Sequence, residues 1–172
     1  MVLFLIGYMG SGKSIIGKKL AEILKYDHQD FDDYIEEREK STISSIFKTK
    51  GEIYFRKTEH KYLNEIVKLQ NTVVALGGGT PCYGDNMKKI LDSENSLSIY
   101  LKATIPTLSS RLFDEKAKRP LISHISSKEE LNEFIGKHIF ERAPFYEQAL
   151  VSIKTDDKSV DEIVEQIMVQ LF

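Results

Sequence analysis

Several features that would narrow the field are scarce in this chain. It has one cysteine, Cys82, which excludes an internal disulfide framework and fits a reducing compartment. Among 172 residues there are four prolines and no repeat, low-complexity tract or proline-rich linker, so nothing marks a division into two domains. No apolar run approaches membrane-spanning length, and the apolar stretch at the N-terminus is too short for a signal peptide, so a cytosolic protein that avoids the membrane is expected. A net charge of −2 excludes nucleic-acid binding through bulk electrostatics; any anion binding must be local. His28, His60, His124 and His138 show no metal-ligand spacing and are read as structural or exposed. Cys82 follows a glycine cluster closely, but a lone cysteine is more often a small buried hydrophobe than a reactive thiol.

What is present begins at the N-terminus. Val2-Leu3-Phe4-Leu5-Ile6 passes into Gly7-Tyr8-Met9-Gly10-Ser11-Gly12-Lys13-Ser14 and then into a helical pattern. This string satisfies G-x-x-x-x-G-K-[ST] in the strand-loop-helix context that the motif needs. Backbone N–H groups can cradle phosphate oxygens at the helix N-terminus, Lys13 reaches the β- and γ-phosphates of a nucleotide, and Ser14 a magnesium ion.

Beyond the loop, apolar runs and helical patterns alternate as in a parallel α/β protein. A helix with Ile16, Leu20, Ile23 and Leu24 inward ends near Lys25, and a short strand covers about Asp27 to Phe31. Tyr34 to Glu39 reads as helix, Ile43 to Phe47 as a brief turn, and Gly51 opens a longer helix. Strands follow at Thr72 to Leu76, Ser96 to Leu101 and Ala149 to Ile153. Helices are expected at Ile105 to Phe113, Lys128 to Ala143 and along the closing stripe Val160 to Leu171. The polar stretch from Asp114 to Ser127 is the candidate mobile flap. No extra apolar face stands out, so a monomer is expected.

Ligands of an open parallel sheet collect at the carboxyl ends of its strands. Three segments fall there: the phosphate loop, Asp30-Phe31-Asp32-Asp33 and Gly77-Gly78-Gly79. Strand alternation points Asp30 and Asp32 to one side, where one carboxylate can hold hydrated magnesium and the other accept a hydrogen bond from an attacking hydroxyl. Asp33 is the candidate helix cap. The triple glycine permits close approach to backbone, or simply a sharp turn.

Arginine usage adds independent weight. Of 24 basic residues only Arg38, Arg56, Arg111, Arg119 and Arg142 are arginine, which in a lysine-rich chain marks positions needing a planar fork for carboxylate or phosphate. Arg56 has Glu59 one turn later, a spacing that can orient a guanidinium. Phe47 and Phe55 flank it and read either as core or as walls of a polar pocket.

Taken in order, these motifs resemble the shikimate kinase family of small P-loop kinases over nearly the whole chain. The resemblance rests on Gly7 to Ser14, Asp30-Phe31-Asp32, Ile46-Phe47 through Gly51-Glu52, Phe55-Arg56-Lys57-Thr58-Glu59, Gly77-Gly78-Gly79, Arg119-Pro120-Leu121 and Glu141-Arg142-Ala143-Pro144-Phe145-Tyr146. It implies a three-layer α/β P-loop kinase fold: a five-stranded parallel sheet flanked by helices, a substrate-binding segment at about 31–60 and a lid at about 112–127. It implies transfer of the γ-phosphoryl group of ATP to the 3-hydroxyl of shikimate, with Mg2+ as cofactor.

Carried over residue by residue, the resemblance makes Asp32 the group that polarises the acceptor hydroxyl and Arg56 with Arg142 the clamp on its carboxylate. Gly77, Gly78 and Gly79 become a backbone contact to the ring. Gly10, Ser11, Gly12, Lys13, Ser14 and Ile15 hold ATP, Lys13 and Arg119 neutralise the transferring phosphoryl, and Arg111 packs near adenine. Ser14 ligates magnesium directly and Asp30 does so through water. Two departures stand out: Ile15 replaces a second hydroxyl residue common in the family, and the Arg111–Arg119 spacing is slightly long. The alternatives are a gluconate-type or nucleoside monophosphate kinase, or a nucleotide-binding module that transfers nothing.

Overall fold

A computed structural model describes all residues from Met1 to Phe172. The elements run β1 (Val2–Ile6), α1 (Lys13–Leu24), β2 (Asp27–Asp30), α2 (Phe31–Glu39), α3 (Ile43–Ile66), β3 (Thr72–Ala75), α4 (Asn86–Leu91), β4 (Ser96–Lys102), α5 (Ile105–Glu115), α6 (Lys128–Tyr146), β5 (Val151–Lys154) and α7 (Val160–Leu171). Short 3-10 turns lie at Thr80–Cys82 and Lys116–Lys118.

The five strands pair in the order β2-β3-β1-β4-β5, and every pairing is parallel. Placing β1 at the centre explains why its residues are apolar without alternation: a parallel strand covered on both faces must be hydrophobic on both. Side chains alternate all the same. Val2, Phe4 and Ile6 enter a core shared with helices α2 to α6, whereas Leu3 and Leu5 enter a second core against Ile16 and Leu20 of α1 and Ile163 and Ile167 of α7. The result is three layers, with α1 and α7 alone on one face. Each such buried side chain contributes roughly 1.5–3 kcal/mol, and this central strand carries the phosphate loop on a rigid base.

Element boundaries correct several expectations. Asp30, not Asp33, caps α2: it ends β2 in an extended conformation, and its carboxylate accepts from the N–H groups of Asp32 at 3.0 Å and Asp33 at 3.3 Å. The helix therefore starts at Phe31 rather than Tyr34, and Asp32 belongs to its first turn rather than to a strand. Strand alternation was thus the wrong reason for grouping Asp30 with Asp32, although the cap brings them together.

The brief turn at Ile43 and the helix after Gly51 form one kinked element, with Gly51 at φ 84°, ψ 172°, a conformation costly for any residue with a Cβ. Helix α6 runs through Pro144 to Tyr146, beyond the expected end at Ala143. Helix α4 and the turn at Thr80–Cys82 had no sequence signal long enough to read. Between α5 and α6, Ile122 and Ile125 are buried in the main core, and Lys116 donates to the Ile125 carbonyl at 2.9 Å. That segment is pinned at its base.

Candidate active site

The loop between β1 and α1 curls around Lys13, whose Nζ donates to the carbonyls of Gly7 at 2.8 Å and Tyr8 at 3.0 Å. Burial pushes the Lys13 ammonium down to about 8, against the opposing pull of Asp32 and Asp30. Ser14 Oγ lies 3.2 Å from Asp30 Oδ2, placing two hard oxygen donors side by side at the start of α1. A cavity of about 670 Å3 opens over this loop, bounded also by Asp32, Gly77, Arg111 and Arg119. Its size and its place over the glycine-rich loop at the start of α1 suit a nucleotide polyphosphate.

Beside it, each residue of the triple glycine faces one charged side chain. A Cβ on Gly77 would sit 2.8 Å from Asp32 Oδ1, one on Gly78 3.3 Å from Arg142 Nη1, and one on Gly79 3.1 Å from both Arg56 terminal nitrogens. The groups that approach these glycines in the structure are the protein's own carboxylate and guanidinium side chains. Any larger residue here would push them apart.

The charges in this cluster are strongly tuned. Asp32 is pushed up to about 6, chiefly by burial and then by the negative fields of Asp30 and Glu59, with Lys13 opposing. Arg56 Nη1 donates to Glu59 at 3.0 Å, and buried Glu59 also accepts from the Thr80 hydroxyl at 2.7 Å, so the Arg56–Glu59 spacing read from sequence is realised. The Arg56 guanidinium lies 3.6 Å from the Tyr83 ring centroid and 5.1 Å from that of Phe55, a cation–π seat. Phe47 packs on Phe55 with ring centroids 4.7 Å apart, so the two flanking aromatics act as wall and core together. Arg142, on α6, lies 5.7 Å from the Tyr8 ring centroid.

Arg111 and Arg119 differ from this pair. Arg111 spends its fork on the carbonyls of Gly10 at 3.1 Å and Thr155 at 3.4 Å, tying the phosphate loop to the end of β5. Arg119 is held only by Glu115, at 3.0 and 3.3 Å, in a pair open to solvent at the cavity edge. Ile15 also lines the cavity and is 60% exposed, offering a methyl surface where a hydroxyl could bond phosphate.

Sequence reasoning missed Tyr83, which stacks on Arg56, and had no role for His138, whose Nδ1 lies 2.9 Å from the buried Tyr8 hydroxyl. The period of a strand or helix could not have found Tyr83, which stands just past a 3-10 turn. Burial pushes the Cys82 thiol up to about 11, which disfavours the thiolate. No helix is long and apolar enough to cross a membrane. Asp32, Asp30, Arg119 and Arg142 all lie close enough for their charges to act on Lys13, so these separate segments converge on the phosphate loop.

A parallel sheet with this loop at its central strand, and a carboxylate and two guanidinium groups beside it, defines a small P-loop kinase. The shikimate kinase family model matches residues 9–172, and the chain belongs to that family. It is 44% identical over 165 residues to the shikimate kinase of Flavobacterium johnsoniae, covering 95% of each chain. Its fold superposes on the shikimate kinase of Bacteroides thetaiotaomicron with a TM-score of 0.91 at 34% identity, covering 99% of this chain and 98% of the other. A shikimate kinase from Acinetobacter baumannii in complex with shikimate gives a TM-score of 0.86 at 28% identity, covering 99% and 92%.

Proposed function

We propose that this chain transfers the γ-phosphoryl group of ATP to the 3-hydroxyl of shikimate, with Asp32 accepting the hydroxyl proton. The observation that carries the assignment is the seating of Asp32, Arg142 and Arg56 against Gly77, Gly78 and Gly79 in turn, with Asp32 and Arg142 near enough to act on Lys13. A carboxylate beside two guanidinium groups complements an anionic polyol: the forks bind its carboxylate, and the aspartate takes its reacting hydroxyl.

The chemistry follows from that placement. The acceptor oxygen forms a bond to the γ-phosphorus while the bond to the β–γ bridging oxygen breaks, and the acceptor proton passes to Asp32. With its carboxyl pushed up to about 6, Asp32 is ionised at neutral pH yet basic enough to hold that proton. Negative charge accumulates on phosphoryl oxygens, where Lys13 and Arg119 stabilise it. The loop N–H groups of Gly10, Ser11 and Gly12 hold the preceding phosphates. Ile15 adds only apolar contact, and Arg111 braces the loop from the adenine side.

Ser14 and Asp30 fit a magnesium ion. They present two oxygen donors 3.2 Å apart, and no group of three or more His, Cys, Asp or Glu side chains gathers to bind a metal by itself. An ion held by one or two protein oxygens, phosphates and water matches magnesium. When bound, it neutralises phosphate charge and orients the terminal phosphate; Asp30 would act through water.

Residues 31–60 form the acceptor-binding segment and residues 112–127 the lid, whose Arg119 exchanges Glu115 for phosphate as ATP binds. The enzyme is read as a cytoplasmic monomer that engages neither membrane nor nucleic acid. A gluconate-type kinase should lack the aspartate pair with the downstream Phe55-Arg56, a nucleotide kinase should carry a longer lid, and a module without an acceptor has no use for Asp32, Arg56 and Arg142 together. A coupled ADP-release assay offering shikimate, gluconate and a nucleoside monophosphate separately tests the assignment. Turnover with shikimate alone is expected; equal ADP release with no acceptor would sink it.

A further inference from the structure

One wholly buried polar side chain at the acceptor site is used by neither the phosphate loop nor the clamp. Tyr146 stands at the end of α6, one helical turn after Arg142, with no exposed surface. Its hydroxyl donates to the Gly78 carbonyl at 2.5 Å, and Arg142 lies near enough for its charge to act on the phenol. The phenol ring packs on Tyr100 of β4 with centroids 5.3 Å apart, so the sheet, not a loop, sets where the hydroxyl sits. Burial pushes the phenol far above its ordinary value, which keeps it neutral, so its one proton is available for the Gly78 carbonyl.

The consequence reaches the acceptor through two routes. In a planar trans peptide the Gly78 carbonyl and the Gly79 N–H point in opposite directions, so anchoring the oxygen aims that N–H. Glycine has no side chain to restrict its peptide plane, and an external anchor is needed if the turn is to present a fixed donor. On the other route, Arg142 stands one turn before Tyr146 on α6 with its Nη1 3.3 Å from where a Gly78 Cβ would stand, so the Tyr146–Gly78 bond ties the helix that carries the guanidinium to the turn.

We propose that Tyr146 is a positioning residue for the acceptor, fixing the Gly78–Gly79 peptide and the Arg142 fork in one arrangement before shikimate arrives. The inference rests on the acceptor assignment above. Tyr146→Phe keeps the ring and removes only the hydroxyl. The expected result is an increase of about tenfold in KM for shikimate, about 1.4 kcal/mol, with kcat and KM for ATP within about twofold, even if Tm falls by a few degrees. An unchanged shikimate KM, or equal increases in both KM values, overturns the proposal.

Should the variant fail to fold, the unmodified protein decides by NMR. The Tyr146 hydroxyl proton is expected to exchange slowly and to shift when shikimate is added, and a resonance that does not respond overturns the role. Turnover of the unmodified chain separates the two readings. No shikimate phosphorylation counts against the function itself, whereas normal turnover with an indifferent variant counts against Tyr146 alone.

Discussion

The two halves of the site are built differently. On the acceptor side, Arg56 is bonded to buried Glu59 and stacked on Tyr83, and Asp32 is packed against Gly77, so the charges are in place before any ligand binds. On the nucleotide side, Arg119 is held by a solvent-exposed ion pair with Glu115, and Ile15 projects an apolar surface into the cavity. A small polar acceptor gains most from preorganisation, because its few hydrogen bonds must overcome the loss of its water. The proposed lid must instead release nucleotide each cycle, and an exposed pair worth at most about 1 kcal/mol is easily exchanged.

Asp32→Asn tests the acceptor side most severely. Turnover in the ADP-release assay should fall by about 10²–10⁴, while the free protein becomes more stable by about 1–3 kcal/mol because a buried charge is removed. The sign follows from the direction of the shift. A carboxyl pushed up to about 6 from its ordinary 3.8 makes the native state bind more protons than the unfolded one between those values. Its contribution to stability is therefore fully present below about pH 4 and lost as pH rises through 6. A thermal melt in which wild type and Asp32→Asn converge at neutral pH and diverge in acid would contradict this.

Arg119→Ala, on the other half, should lower kcat by roughly 10²–10³ with thermal stability unchanged within about 0.5 kcal/mol and KM for shikimate unaffected. A marked loss of stability would mean that the lid arginine is structural. Arg56→Lys is the mirror experiment: KM for shikimate should rise roughly tenfold to a hundredfold as the fork is lost, with KM for ATP unmoved. Crossed effects in steady-state kinetics would erase the distinction between the halves.

The pH profile of kcat/KM for the free enzyme joins both sides. It should fall below about pH 6 as Asp32 takes a proton and above about pH 8 as Lys13 loses one; a profile flat from 5 to 9 would remove both groups from the chemistry. Smallest of all is Ile15→Thr, which restores a hydroxyl at the phosphate loop and should lower KM for ATP by about two- to fivefold. An unchanged ATP affinity would show that the missing contact costs nothing.

The alternation of apolar runs, the Gly7 to Ser14 loop and the closing stripe from Val160 to Leu171 were legible because they depend on local order and on a period that the residues themselves carry. Legibility failed where distant segments decide. Asp30 became a cap because β2 ends beside β3 and turns there, and Pro144 was absorbed into α6, whose Tyr146 hydroxyl bonds to Gly78. Helix α4 is too short to show a period, and Tyr83 stands in no regular element, so its stacking on Arg56 follows only from the fold.

By itself the amino-acid order determined the phosphate-binding chemistry, the family and the identity of the charged groups, since motif spacing and residue type are one-dimensional properties. Only the tertiary structure decided that Asp32, Arg142 and Arg56 each stand against one glycine of 77–79, and that Arg111 is spent on backbone while Arg119 sits in a solvent-exposed pair with Glu115. The physical reason is that close approach and burial arise between segments far apart in the chain. Those contacts set the charges that the chemistry uses.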